Sequence, residues 1–386
     1  MAHAASTAPP LLRAALGPAG TVLWGSLTGR VLLGRLAGTS PPGAQPAALA
    51  GLEDALVLAR WETSPHLSAL KVERLLRAAW GAPVKTVLDD LELSAPVAST
   101  PFAQVHRGWL GGAPLAVKVR RPGVEAMTRA DQAFLDAAGV SLGIRAASRA
   151  ASSVLAHLLE ALDFEHEAEQ RRLFARALRA TPGVVVPPAM PELSTLDVLV
   201  SGWLEGPTLA AAPPPDAAAT ARALVAAHLA AARAGLLLTD ARPNHVVALD
   251  GGAVGIVGLG VVPVEPARLE DRLVLLSTLR DAGPDRFAAA AWNLLGDAGA
   301  ARALHSLLRA VLGELVQGAA LLDAATLAAV LERALAYQRE ARALAAVCTP
   351  APGDLALAWS GARLVAVLAA LGAREDWLAL AASAQC

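Results

Sequence analysis

Leu115-Ala116-Val117-Lys118-Val119-Arg120-Arg121-Pro122-Gly123 is the stretch on which the fold turns. It comes just after Gly111-Gly112, a pair suited to the left-handed conformations of a tight hairpin turn. Leu115, Val117 and Val119 alternate with Ala116, Lys118 and Arg120, the period of a strand with one covered face. Lys118 therefore faces away from its apolar neighbours. Lysine is scarce here: of 33 basic residues, only Lys71, Lys85 and Lys118 are lysines. Two readings suit a lysine on such a return strand. One is an edge-strand cation of any small sheet; the other is a clamp for nucleotide phosphates, paired with a helical glutamate.

The 386 residues allow two or three domains and an ample core. Hydrophobic residues are 55% of the chain and aromatic ones only 4%, so Ala, Leu and Val dominate and the chain reads as largely helical. A net charge of −1, with no basic run of five or more, gives no footprint for nucleic acid. Cys348 and Cys386 form no metal or disulfide pattern, which points to a reducing compartment. No positive segment precedes an apolar stretch at the start of the sequence, so a cleaved signal is not expected. Leu355–Ala373 has the length of a span, but Arg363 lies at its middle, where a charge costs roughly 2.5–3.5 kcal/mol on insertion scales. It reads as a buried or membrane-surface helix.

Along the chain, Ser68–Trp80 is an amphipathic helix stopped by Gly81, and residues 98–120 carry strand signals. Ala126–Ala147 and Ser152–Ala180 read as helices, with Glu160, Asp163 and Glu167 on one face of the second. Val184–Pro187 and Leu196–Val200 are short strands, the latter running into Trp203-Leu204-Glu205-Gly206. Pro213-Pro214-Pro215 opens a helix near Asp216 that runs to Gly235. A strand–turn–strand surrounds Asp250-Gly251-Gly252, and everything from about Pro266 is helical in pattern.

These segments together resemble the UbiB/AarF-type atypical kinases, a family linked to ubiquinone and other isoprenoid-quinone lipids. Pro96–Arg107, with Ala98-Ser99-Thr100 and Ala103-Gln104-Val105-His106, is similar to the family's alanine-rich nucleotide loop followed by Gln-Val-His. Ala116–Gly123 is similar to its lysine strand, and Leu162-Asp163-Phe164-Glu165-His166-Glu167-Ala168 to its Leu-Asp-Phe-x-x-Glu-Ala helix. Val186-Pro187-Pro188, Pro191–Thr195 and Trp203–Gly206 resemble its hinge approach, and Gly235–His245 takes the place of its catalytic loop.

The resemblance implies a fold and a set of roles. The fold is α+β, a two-lobed protein-kinase-like fold with a helical extension over 1–85, a small mixed lobe over 86–205 and a larger helical lobe over 206–386. Lys118 and Glu167 would be the phosphate clamp, with Ala98, Ser99, Thr100, Ala103 and Gln104 along the nucleotide. Asp240 would orient or deprotonate an acceptor hydroxyl. His106 reads more simply as a satisfied strand histidine.

The departures bear on function. Where the family reads His-Ala-Asp-Pro-His-Pro-Gly-Asn, this chain has Leu238-Thr239-Asp240-Ala241-Arg242-Pro243-Asn244-His245. The metal-binding asparagine is replaced by His245, with Asn244 beside it as a substitute ligand. The magnesium-binding Asp-Phe-Gly has become Gly258-Leu259-Gly260, and glycine offers Mg²⁺ no carboxylate. The N-terminal Lys-x-Gly-Gln signature is reduced to Leu32-Leu33-Gly34-Arg35, the first acid of a Glu-x-Asp pair is Ala161, and Pro101 removes a backbone donor from the nucleotide loop.

The sequence thus predicts a pseudokinase acting as a scaffold or as a lipid- or partner-binding module. ATP is its expected ligand, held weakly or without Mg²⁺. The alternatives are an active kinase or ATPase of quinone-lipid metabolism and an aminoglycoside-phosphotransferase-like enzyme. The expected location is cytoplasmic, with peripheral membrane attachment through 355–373 as a variant. Residues 1–65 are expected to pack as helices on the nucleotide side, being too apolar for a disordered tail.

Overall fold

Lys118 lies in the first of two compact units of the computed structural model. Residues 66–383 are described, apart from 101, 127, 131–132, 134–161, 282 and 348–351. The expected packing of residues 1–65, the Leu32–Arg35 signature, Pro101, Glu160, Ala161, most of the 126–147 helix and both cysteines lie outside the described residues. The first unit runs to Leu173 and takes in Pro187–Leu204; the second holds Phe174–Val186 and the chain from Glu205 onward.

Helix α1 (Ala69–Trp80) opens the first unit, and Gly81 ends it in the left-handed conformation. A sheet follows: β1 (Asp90–Leu91), β2 (Ala98–Ser99), β3 (Ala103–Leu110), β4 (Ala113–Arg120) and β6 (Val198–Gly202), with β5 (Val184–Val185) belonging to the second unit. The order is β1-β3-β4-β6, and β2 pairs with β3. Gly111 and Gly112 make the β3–β4 turn at φ 60° and 75°, a pair of angles that side chains rarely adopt. The strand period holds: Leu115, Val117 and Val119 are buried, while Ala116, Lys118 and Arg120 are not. Val72 and Leu76 of α1 pack into the same core with Val198 and Val200. Helix α1 thus shares the sheet's core, although residue 69 falls inside the expected 1–85 extension.

Helix α2 (Phe164–Ala177) is the described helical part of the Ser152–Ala180 reading, whose residues 152–161 lie outside the described residues. The chain turns at Leu162, and the Asp163 carboxylate accepts the His166 N–H at 3.0 Å. Asp163 is therefore an N-cap, not a member of a carboxylate face shared with Glu167. The helix covers the second face of the sheet through Phe164 and Ala168, which pack on Ala103 and Leu199.

The second unit is built around helix α3 (Ala217–Arg233), capped by Asp216, whose side chain accepts the Ala219 N–H at 2.8 Å. Ten of its residues are buried, nearly all round its surface, as expected of a central helix. Short strands surround it: β5 (Val184–Val185) pairs with β9 (Val254–Ile256), β9 with β8 (Val246–Ala248), and β7 (Leu236–Leu238) with β10 (Val261–Pro263). Helices α4 (Pro266–Asp281), α5 (Pro284–Ala290), α6 (Trp292–Leu295) and α7 (Ala298–Leu312) follow. Then come α8 (Ala324–Ala336), α9 (Gln338–Val347), α10 (Pro352–Leu371) and α11 (Trp377–Ser383).

The all-helical expectation beyond Pro266 needs one correction. β11 (Ala320–Leu322) and β12 (Ala373–Glu375) pair antiparallel, closing the chain's end onto its middle. Arg363 in α10 is 1% exposed, and no helix among the described residues is long and apolar enough to cross a membrane.

Candidate functional site

In the first unit the β3–β4 register sets Lys118 opposite Val105, on the face that α2 covers. Phe164, Glu167, Ala168 and Arg171 form the inward stripe of α2 at the i, i+3, i+4, i+7 spacing, and all four are buried. Two charged residues on a buried stripe need partners, and they find them. Lys118 Nζ donates to Glu167 Oε2 at 2.5 Å and stands 4.3 Å from the centre of the Phe164 ring. Glu167 Oε1 lies 3.8 Å from Arg171 Nη2. Burial pulls the Arg171 guanidinium below its ordinary value, and the Glu167 charge offsets part of that. Glu167 is thus shared between a half-buried lysine and a buried arginine. Arg171 was not among the residues anticipated from sequence, although its i+4 spacing from Glu167 was visible.

The nucleotide-loop residues do not present an open cradle. Thr100 N–H donates to Ala103 O at 2.8 Å, and the Thr100 hydroxyl accepts the N–H groups of Phe102 and Ala103 at 3.3 and 3.1 Å. Arg121 fixes the loop from below, donating to Thr100 O at 2.6 Å and to Ser99 Oγ at 2.7 Å. Ala98 pairs with Val105 in the sheet. The N–H groups of Thr100, Phe102 and Ala103 are thus engaged within the turn itself.

Gln104, expected along the nucleotide, has a wholly buried side chain. Its Oε1 accepts the Leu67 N–H at 2.7 Å, and its Nε2 donates to His106 Nε2 at 3.0 Å. His106 Nδ1–H in turn donates to Glu92 O at 2.7 Å. A backbone donor at one end and a carbonyl at the other force one direction on this chain, which fixes both the amide orientation and the neutral tautomer. Burial accordingly lowers the His106 pKa, with the Glu92 carbonyl opposing. Gln104 and His106 tie the entry to α1 onto the sheet.

In the second unit Asp240 follows β7, and the loop returns through Pro243–His245 into β8. Segment 257–260, between β9 and β10, lies alongside. Thr239 N–H and its hydroxyl both donate to Gly260 O, at 2.7 and 2.9 Å, and Val257 N–H donates to His245 O at 2.9 Å. Arg242 Nη2 donates to Asp240 Oδ2 at 3.0 Å and to His245 Nε2 at 3.0 Å. His245 Nδ1–H donates to the Asp240 carbonyl at 2.9 Å.

Gly258 explains why the histidine fits. A Cβ placed on it would lie 2.2 Å from His245 Cγ and Nδ1, so the imidazole occupies the volume that an aspartate side chain would need. Gly258 does not sit in the left-handed region; space, not backbone angle, demands glycine here.

This loop does not suit a divalent metal. Mg²⁺ takes oxygen ligands in near-octahedral geometry, usually with a carboxylate. Position 258 has no side-chain oxygen, and both His245 nitrogens are engaged, one as donor to a carbonyl and one as acceptor from a guanidinium. Among the described residues no cluster of three or more His, Cys, Asp or Glu side chains could hold an ion. His245, expected beside Asn244 as a substitute metal ligand, has its two ring nitrogens directed at the Asp240 carbonyl and the Arg242 guanidinium. Sequence inspection missed Arg242; its signal was a guanidinium two positions after the retained aspartate.

Residues 62–241 match the ABC1 atypical kinase-like domain. The match ends one residue before Arg242. A stretch of 139 residues is 32% identical to an uncharacterized chloroplastic aarF domain-containing protein kinase of Arabidopsis thaliana. That stretch is 33% of this chain and 20% of the relative, so the match spans about a fifth of the curated relative's length. Among solved structures, Rv3197 of Mycobacterium tuberculosis, determined as a complex with erythromycin, aligns with a TM-score of 0.65 at 22% identity. The alignment covers 90% of this chain and 89% of that one, and it shows a shared fold.

Proposed function

We infer that this chain, which belongs to the ABC1 (UbiB/AarF-type) atypical kinase-like family through residues 62–241, is a pseudokinase. It keeps a lysine–glutamate phosphate clamp and has given up metal-assisted phosphoryl transfer, serving as a scaffold or a lipid- or partner-binding module. The observation that carries this reading is the His245 ring set against Gly258. Phosphoryl transfer relies on positioning and on metal ions that neutralise developing charge. A loop whose acid is replaced by glycine, with an imidazole in the acid's volume, lacks the principal anchor for that ion. Asp240 alone would retain only the contribution of base catalysis, typically about 10²–10⁴-fold.

The test uses the purified full chain. ATP alone should raise the melting temperature or leave it unchanged, and Mg²⁺ or Mn²⁺ should add nothing to whatever ATP does. ATP turnover with Mg²⁺ should not exceed that of Asp240→Asn. Mg²⁺-dependent turnover that Asp240→Asn abolishes would overturn the reading. It would favour instead an active kinase or ATPase supporting isoprenoid-lipid metabolism, the reading on whose side the closed Lys118–Glu167 pair stands.

A further inference from the structure

We propose that Arg242 is a resident cation: its guanidinium takes the Asp240 carboxylate in the place of a divalent metal, and makes the loop select against such ions. The proposal deepens the pseudokinase reading and rests on it for the loss of the metal, but its own content is which residue excludes the ion. A single nitrogen does the bridging. Arg242 Nη2 has two hydrogens, and two acceptors lie at 3.0 Å from it, Asp240 Oδ2 and His245 Nε2. His245 Nε2 is free to accept because Nδ1 carries the proton given to the Asp240 carbonyl.

The circuit closes on Asp240 from both ends, backbone carbonyl and carboxylate, and the ring that completes it is seated against Gly258. All three side chains are largely covered, at 14% exposure for Asp240, 20% for Arg242 and 22% for His245. Screening by solvent is therefore weaker than at an open surface. An ion approaching Asp240 Oδ2 would meet a positive charge already hydrogen-bonded there, and would have to displace it to coordinate.

The experiment reads metal binding, not turnover. Full-length wild type, R242A, R242Q, R242K and the double variant D240N/R242A are titrated with Mn²⁺ alone. Uptake is followed by the loss of the free-ion paramagnetic resonance signal and by melting temperature. R242A and R242Q should bind Mn²⁺ roughly tenfold or more tightly than wild type, the expected scale for removing a like charge in contact with the ligand. R242K, which keeps the charge, should match wild type, and D240N/R242A should lose the gain.

R242Q retains a donor for His245, so it reports even where R242A unfolds the loop. Wild type binding Mn²⁺ as tightly as R242Q, or R242Q folded and gaining nothing, would overturn the proposal. Wild-type ATP turnover through Asp240 would overturn the pseudokinase reading separately, so the two failures are distinguishable.

Discussion

Gly258→Ala isolates the steric heart of the second unit's loop. The added methyl would stand 2.2 Å from His245 Cγ and Nδ1 and 2.7 Å from Cε1, where carbon contacts ordinarily begin near 3.5 Å. The ring would have to retreat by more than about 1 Å. It is held by a bond from Nδ1 to the Asp240 carbonyl and by one from the Arg242 guanidinium to Nε2. Losing these costs about 1 kcal/mol for the first and about 1.5–3 for the charged one, if neither re-forms; overpacking without rupture costs about 1–3 kcal/mol. The two routes bracket a destabilisation of about 1–4 kcal/mol.

Because Gly258 has no positive φ, alanine brings no backbone strain, and the whole penalty should vanish with the ring. In a His245→Ala background Gly258→Ala should cost under about 0.5 kcal/mol, or stabilise slightly by restricting the unfolded chain. The assay is urea unfolding of the four proteins of the double-mutant cycle, with an expected coupling of about 0.5–4 kcal/mol in favour of the ring as the obstacle. Equal costs of Gly258→Ala in the two backgrounds would refute the reasoning.

The first unit offers an asymmetry. Glu167→Gln removes the carboxylate beside buried Arg171 and should cost about 3–5 kcal/mol. Lys118→Ala leaves Glu167 still beside Arg171 and should cost only about 1–2 kcal/mol by the same unfolding assay; the reverse order would show that Arg171 is not the main beneficiary. For pH dependence, burial lowers the His228 pKa from 6.5 to about 4, against the opposing bond from its Nδ1–H to the Leu224 carbonyl. The unfolded chain then binds the extra proton between these values, so stability is full above pH 6.5 and is lost as pH falls toward 4, by about 3 kcal/mol in all. His228→Leu should flatten that slope in denaturation series at pH 7.5, 6 and 5 (about 1.4 kcal/mol per unit removed), and an unchanged slope would assign the acid loss elsewhere.

What was legible in the sequence was local and periodic. The alternation through Val117, Lys118 and Val119 exposed both faces of β4, and Gly81 and Asp216 marked helix ends through the backbone groups they satisfy. What was illegible depended on partners distant in the chain. Asp163 looked like a helix-face carboxylate until the turn at Leu162 made it a cap. Gln104 carried the resemblance to a nucleotide loop, yet its amide is consumed by Leu67 and His106, contacts that no spacing announces. The β11–β12 pairing joins three-residue strands of ordinary helix-forming composition, so period had nothing to detect. Gly258 was read as a missing acid; that it also admits a ring from another segment is a fact of packing alone.

That packing changes what the departures mean. Read singly, His245 and Gly258 are two losses from a metal site, and Arg242 is a change with no role of its own. In space they are one arrangement: the guanidinium needs the imidazole nitrogen as second acceptor, and the imidazole needs a residue without Cβ beneath it. Restoring the acid alone, Gly258→Asp, would set a carboxylate into the ring's volume and break the circuit before it offered any oxygen to a metal. Restoring asparagine alone at 245 would leave Arg242 on Asp240 with the ring's volume empty. Each step back toward the family pattern thus crosses a destabilised intermediate, because packing couples the three positions.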